Sequence, residues 1–134
     1  MTSLASVYWR TGIMAWDRAE QSTIILLNDI AESIRQRRSS LLHKQKSELI
    51  WKLRPVLNDQ ESIMDFFGHD QKSLRLLHKR QHAYMLTWLS QLGMHTLPSE
   101  VESVRHWWIE IHVARLDRAL LQDVGHAQVY HRAV

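Results

Sequence analysis

Hydrophobic residues recur at helical spacing in four stretches of the chain, and each stretch predicts a helix. The first predicted helix covers about 18–38. It follows Asp17, which we expect to be its N-cap, and it ends where the polar run 37–40 begins. Its apolar stripe consists of Ile24, Leu27, Ala31 and Ile34.

The second predicted helix contains a proline. It begins near Leu42 and ends at Gly68. Because Pro55 cannot donate a backbone hydrogen bond, we expect the helix to be kinked at this residue, or to be split with a new start there. Its stripe consists of Leu42, Leu49, Leu53, Val56, Gln60, Ile63 and Phe67.

The third and fourth predicted helices both end at a glycine. The third begins near Asp70, a candidate N-cap, and ends at Gly93. The fourth opens with a capping box formed by Ser99 and Glu102 and ends at Gly125. The third stripe holds Leu74, His78, His82, Met85, Leu89 and Leu92, and the fourth holds Val101, Trp108, Ile109, His112, Leu116 and Leu120.

Short connections between long helices predict antiparallel neighbours, so we expect an all-α, up-down-up-down four-helix bundle. The chain of 134 residues has only four Gly and two Pro, too few turn formers for a sandwich or barrel of many strands. Because neither a repeat nor a composition change divides the chain, we interpret 1–134 as one domain with an N-terminal arm at 1–17 and a C-terminal tail at 124–134.

Composition restricts the function classes. The chain has no cysteine, so any metal must be held by His, Asp or Glu, and a reducing compartment is the simpler assumption. The formal net charge of +3 comes from short basic clusters without a recognition motif, which favours solvated helix faces over a nucleic-acid surface. A secretory signal and a membrane-length apolar run are both missing from the sequence, which favours a cytoplasmic protein without a membrane partner.

Three histidines lie on the apolar stripes. His78 and His82 are four residues apart and therefore lie within about 40° of each other on one helix. His112 lies near the centre of the fourth stripe, and Asp117 lies toward its edge. Three imidazoles and a carboxylate from adjacent helices suit Fe, Mn, Co or Zn, although three separate hydrogen-bonded core histidines would give the same pattern. The other histidines are interpreted as surface groups: His43, His69, His95, His106, His126 and His131.

Four short motifs resemble those of the hemerythrins and bacteriohemerythrins. Residues 77–82 (LHKRQH) match the family's H-K-x-x-H, and residues 108–117 (WIEIHVARLD) match its W-L-x-x-H-x-x-x-x-D. Residues 13–17 (IMAWD) are similar to its I-x-x-W-D entry, and residues 60–64 (QESIM) to its E-E-x-L-M. The resemblance covers about residues 13 to 120. It implies a four-helix bundle with a non-haem di-iron centre that binds oxygen.

The chain departs from the family at three ligand positions. Counted from Trp16 and Met64, Ala31 stands at the family's first-helix His, Val56 at its second-helix His and Gln60 at its bridging Glu. The resemblance therefore implies a metal site with fewer ligands than the family's, which holds a single iron or another divalent ion. This site would bind or sense metal, or a small gas such as dioxygen, without catalysis. Its implied ligands are His78, His82, His112 and Asp117, with Glu61 added if the second helix is rotated or kinked at Pro55.

Two other functions stay open. A metal-free interaction module would keep the bundle and present its basic face, or exposed tryptophans such as Trp88 and Trp107, to a protein partner or a second subunit. Trp108 lies on the fourth stripe and is expected in the core. An enzyme is least favoured, because the sequence shows no nucleophile paired with a base, no Gly-rich phosphate loop and no acidic pair placed for glycoside chemistry.

Overall fold

The computed structural model describes residues 14–66 and 72–122, which form four helices without any β-strand. The α-helices are α1 (Met14–Arg35), α2 (Ser39–Phe66), α3 (Lys72–Gln91) and α4 (Pro98–Trp107). The fourth helix continues from α4 as a π-helical segment at Trp108–Asp117 and ends as α-helix over 118–122. The prediction of four helices in an all-α chain is confirmed. None of the helices in these two ranges is long and apolar enough for a membrane crossing.

Helix α1 differs from its prediction at both ends. It begins three residues before Asp17, so Asp17 lies in the first turn and is not the N-cap, and residues 14–17 of the predicted arm are helical. It ends at Arg35 because Arg37 adopts a left-handed φ of 55°. The backbone N–H groups of Arg37 and Arg38 then bond to the carbonyls of Ile34 and Ser33, which is a Schellman motif.

The capping box predicted for the fourth helix is wrong. Leu97 is the N-cap residue, with an extended backbone and no side-chain cap, and Pro98 occupies the first turn. Proline suits that position because its missing N–H would have no partner there, so the helix starts one residue earlier than Ser99. The predicted boundaries at Gly68, Asp70 and Gly125, and the tail at 124–134, lie outside the described residues.

Helix α2 runs without a break through Pro55, so the predicted split at this residue is wrong. Leu42, Leu49, Leu53 and Gln60 are buried as predicted. After Pro55, however, the predicted Val56 and Ile63 are only half-buried, and the neighbouring Leu57 and Met64 are buried in their place.

The hydrophobic core takes residues from all four helices. Its main part packs Leu27 and Ile30 of α1 against Leu53 of α2, Leu89 of α3 and Trp108 of the fourth helix. A smaller cluster joins the start of α1, the end of α2 and residue Leu120 near the end of the fourth helix. Helix α1 contacts α2 and α4, and α3 contacts α2 and the π-helical segment. The apolar stripes of α1 and of the fourth helix are buried at every predicted position.

Candidate metal centre

Four buried side chains meet between α3 and the π-helical segment. They are His78 and His82, one turn apart on α3, and His112 and Asp117 on the segment; all are at most 1% exposed. One ligand atom of each lies within 4.8 Å of the others. The three imidazole centroids are 4.6 to 4.8 Å apart. Metal bonds of about 2.1 Å would hold the donor atoms at most about 4.2 Å apart, so small side-chain movements are enough to close such a site.

The π-helical segment explains how Asp117 joins this cluster. In an α-helix, residues five apart point about 140° away from each other, which is why the sequence placed Asp117 at the edge of the stripe. A π-helix closes its hydrogen bonds between residues five apart, so those residues lie on the same side. His112 and Asp117 therefore face the same way, and Asp117 is fully buried. The predicted edge position of Asp117 is wrong.

His78 and Asp117 form a direct hydrogen bond. The distance from His78 Nε2 to Asp117 Oδ1 is 2.8 Å. Burial alone would raise the pKa of Asp117, but its interactions with His112 and His78 outweigh burial and hold that pKa below the usual range. The carboxyl is therefore ionised and accepts, and the His78 Nε2–H donates. A cation bound between these two groups would replace that proton.

His112 approaches the same carboxylate oxygen, but its neutral ring presents an acceptor there, whereas His78 presents a donor. Its Nδ1 lies 3.0 Å from Oε1 of Gln81, an acceptor, so the Nδ1–H donates to Gln81. In the neutral ring this leaves the lone pair of Nε2 directed toward Asp117 Oδ1 at 3.2 Å. Within the described residues, His112 Nε2 and Asp117 Oδ2 have no hydrogen-bond partner. Two buried lone pairs at this distance repel each other unless a proton or a metal ion lies between them.

His82 is a buried imidazole that no described side chain satisfies. Neither of its ring nitrogens makes a hydrogen bond within the described part of the chain. Burial, followed by the nearby His112 and His78, lowers the pKa of His82 to about 2, so the ring stays neutral. Only a neutral imidazole can donate a lone pair to a metal, which makes His82 a ready ligand.

Glu61 lies beside this cluster and not within it. Its Oε2 is 3.5 Å from His82 Nδ1, and its side chain is 33% exposed. The four ligand atoms that lie within 4.8 Å of one another do not include it. Burial raises the pKa of Glu61, while the charge of Lys79 opposes that rise. Without a movement of α2, Glu61 is a neighbour of His82 at the edge of the site.

Glu20 is a site residue that the sequence analysis missed. It is buried on α1, and its Oε2 accepts the Trp108 Nε1–H at 2.5 Å. The Trp108 ring stacks on His112, with centroids 3.9 Å apart and planes 8° apart. Burial, together with the charge of Asp117, raises the pKa of Glu20 well above its ordinary value. Glu20 lies one turn before Ile24 on the α1 stripe, so extending that stripe upstream would have found it.

The remaining predictions concern residues away from the cluster. Trp108 is buried as predicted. The prediction that Trp88 and Trp107 are exposed is wrong, because both are half-buried against the core. The predicted surface histidines His43, His95 and His106 are exposed. Three further predicted surface histidines lie outside the described residues: His69, His126 and His131.

Comparison with protein families, curated proteins and solved structures finds no match to this chain. The side-chain geometry of the cluster therefore carries the functional inference.

Proposed function

We propose that this protein binds one divalent metal ion, with iron as the first candidate, through His78, His82, His112 and Asp117. The observation that carries the proposal is the 3.2 Å approach of His112 Nε2 to Asp117 Oδ1, in a cluster whose ligand atoms lie within 4.8 Å of one another. Imidazole and carboxylate donors suit Fe, Mn, Co and Zn, and non-haem iron sites of this donor type keep open positions. Such positions can take dioxygen or another small gas, and we propose binding or sensing without turnover.

We infer an antiparallel, up-down-up-down arrangement of the helices. In each pair of neighbouring helices, later residues of one helix contact earlier residues of the other. The pairs that support this are Trp16–Asp59 and Ser33–Gln45, Lys46–Ser90 and Asp65–Lys79, Gln81–His112 and Trp88–Glu100, and Glu20–Trp108 and Arg35–Glu102.

The proposed relationship to the hemerythrins depends on the same residues. The two longer motifs, at 77–82 and 108–117, contribute all four members of the cluster. The family's other ligand positions carry Ala31, which is buried in the core, and Val56, which is half-buried, and neither side chain can bind a metal. Gln60 is buried and neutral, so it cannot compensate the charge of a second cation. The proposal is therefore a hemerythrin-like fold with a mononuclear site.

We expect at most one tightly bound metal per chain and no absorption from an oxo-bridged iron pair. The measurement is elemental analysis by mass spectrometry of protein purified without chelators. A second sample is treated with excess Fe(II) under anaerobic conditions, desalted and then exposed to air for its absorption spectrum. Two irons per chain would show that the second helix contributes ligands, such as His43, Glu48 or Glu61, that this proposal leaves out.

A chain that binds none of Fe, Mn, Co or Zn would favour the metal-free interaction module. The observation on that side is Trp51, which lies on α2 with 81% of its surface exposed. Exposed tryptophans are common at protein contacts. In that case the buried histidines would be core groups only, and a protein partner or a second subunit would be sought at the face that carries Trp51.

Replacing Gln81 with Leu is expected to weaken metal binding about 10- to 100-fold, without removing a ligand. Gln81 accepts the Nδ1–H of His112 and so fixes the tautomer that turns Nε2 toward Asp117. The affinity for Co(II) is measured by calorimetry. The matched control is Gln91→Leu, at an exposed position near the end of the same helix. Equal affinities of the two variants would contradict the orienting role of Gln81.

A further inference from the structure

A solvent-open groove of about 580 Å³ runs between α3 and α4. Its exposed wall is mainly apolar, and the polar side chains that line it are those of Arg80, Gln81, Glu100 and Ser103. Small-molecule sites have volumes of about 300 to 1,000 Å³ and the same kind of lining. The groove is separate from the buried histidine cluster, but it has one residue, Gln81, in contact with that cluster.

Two aromatic rings form the middle of the groove. Tyr84 and Trp107 pack edge to face, with centroids 5.2 Å apart and planes at 71°. Tyr84 is 55% exposed although it is a large aromatic residue. The exposed faces of such rings offer stacking area that suits a planar aromatic molecule.

The charges at the two ends of the groove are different. Arg80 lies next to Gln81, and among the residues that the structure describes no carboxylate forms an ion pair with Arg80. The acidic lining residue, Glu100, accepts a hydrogen bond from Trp88. Trp88 lies eight residues after Arg80 on α3, so Glu100 is about 12 Å from Arg80 along the helix axis. The end beside Gln81 is therefore cationic, and an anion placed there does not meet Glu100.

Gln81 connects this cationic end with the metal centre. Its side chain lines the groove, and its Oε1 accepts the Nδ1–H of His112. A ligand group that hydrogen-bonds to the Gln81 amide would strengthen or displace that contact. Either change would alter the orientation of His112 and therefore the affinity of the cluster for metal.

We propose that the groove binds a small planar aromatic anion, whose ring packs face to face with one of the Tyr84 and Trp107 rings and edge-on to the other, and whose acidic group lies at Arg80 and Gln81. The bound anion changes the metal affinity of the histidine cluster through the Gln81 to His112 hydrogen bond. Binding itself needs no metal, whereas the coupling rests on the proposed metal-binding function.

The first experiment measures binding of naphthalene-2-sulfonate to the metal-free full-length protein by calorimetry. The uncharged naphthalene-2-sulfonamide and the non-aromatic cyclohexanesulfonate serve as matched ligands. We expect the sulfonate to bind, and each matched ligand to bind at least threefold more weakly. Absence of binding at millimolar concentrations, or equal binding of the three ligands, overturns the proposal.

Variants then locate the binding site. Arg80→Gln and Tyr84→Ala change exposed residues, so both are expected to fold, and each should weaken sulfonate binding at least threefold. The controls are Arg54→Gln and Trp51→Leu on the exposed face of α2, for which we expect less than a twofold change. A loss that appears equally in the controls, or in neither groove variant, places the ligand elsewhere and overturns the proposal.

The coupling is measured as the Co(II) affinity with and without saturating sulfonate, for which we expect at least a threefold difference. By linkage, Co(II) must change the sulfonate affinity by the same factor. Unchanged Co(II) affinity overturns the coupling. If the chain binds sulfonate and no metal, the proposed function and the coupling fail while the groove stands. If it binds metal and no sulfonate, the groove assignment alone fails.

Discussion

Replacing His82 with Leu is expected to abolish metal binding and to leave the metal-free protein as stable as the unchanged chain, or more stable. Both ring nitrogens of His82 lack a hydrogen-bond partner among the described residues. A buried polar group without a hydrogen-bond partner destabilises the folded state by about 1 to 3 kcal/mol, and the Leu side chain removes this penalty. The position lies on the same buried face of α3 as Met85 and Leu89, so an apolar side chain is compatible with its neighbours.

Metal affinity should fall at least a hundredfold, because a ligand is removed and not merely reoriented. The measurements are metal content after purification and the free energy of unfolding in urea, taken after chelation. The matched control is His106→Leu, at an exposed position on α4, which should keep its metal. A His82→Leu protein that retains one metal per chain would exclude His82 as a ligand. One that loses several kcal/mol of stability would show that the ring has a partner the core needs.

The three histidines of the cluster could be found from the sequence because ordinary helical spacing places them. His78 and His82 are one turn apart on the α3 stripe, and His112 lies at the centre of the fourth stripe. Each was expected to point inward, and each is buried. A projection at 100° per residue needs a regular α-helix, which α3 is over its whole length. His112 lies four residues into the π-helical segment, where the projection has drifted less than it has at Asp117. The residue types then indicate the chemistry.

Asp117 could not be placed in this way, and Glu20 was missed although helical spacing reaches it. A projection at 100° per residue fails over Trp108–Asp117, where the chain is π-helical, so it turned Asp117 away from His112. The spacing of five between two polar residues in an apolar stretch was the available signal. Glu20 was missed for a different reason. The predicted apolar stripe of α1 begins at Ile24, and carboxylates are rarely found on a buried helix face. The Trp108 indole N–H makes that burial possible, and no local pattern connects residues 88 positions apart.

Boundary errors have local physical causes. Asp17 and Ser99 are typical N-cap residues, yet each lies inside a helix that starts earlier. At the fourth helix, Pro98 fixes the backbone for the first turn without needing a side-chain cap. At α2, the sequence predicts a kink or a split at Pro55, and the helix continues through this residue without a split. Burial of Leu53 and Leu57 on either side of the proline holds the helix together there, because packing outweighs the loss of one backbone hydrogen bond.

The stability of the metal-free protein is expected to depend on pH through His82. Burial lowers the pKa of His82 to about 2 in the folded chain, whereas the unfolded value is 6.5. Because the folded pKa is the lower one, the unfolded state binds the proton first as the pH falls. The folded state therefore loses no stability to this protonation above about pH 6.5, and it loses stability progressively as the pH falls toward 2. At pH 5, one and a half units below the unfolded pKa, the loss is about 2 kcal/mol.

The measurement is the free energy of unfolding of His82→Leu and of the unchanged protein, both freed of metal, at pH 8 and at pH 5. The difference between the two proteins is compared at the two pH values. The advantage of the variant should grow by about 2 kcal/mol between these two values. Glu20 has a raised pKa, so its contribution is present at low pH and is lost as the pH rises. That effect is common to both proteins and cancels in the difference. Asp117 has a lowered pKa, and its contribution changes only below pH 3.8, outside this interval. An advantage that stays constant from pH 8 to pH 5 would mean that the folded protein protonates the histidine cluster readily, and that the cluster is open to water rather than closed in the core.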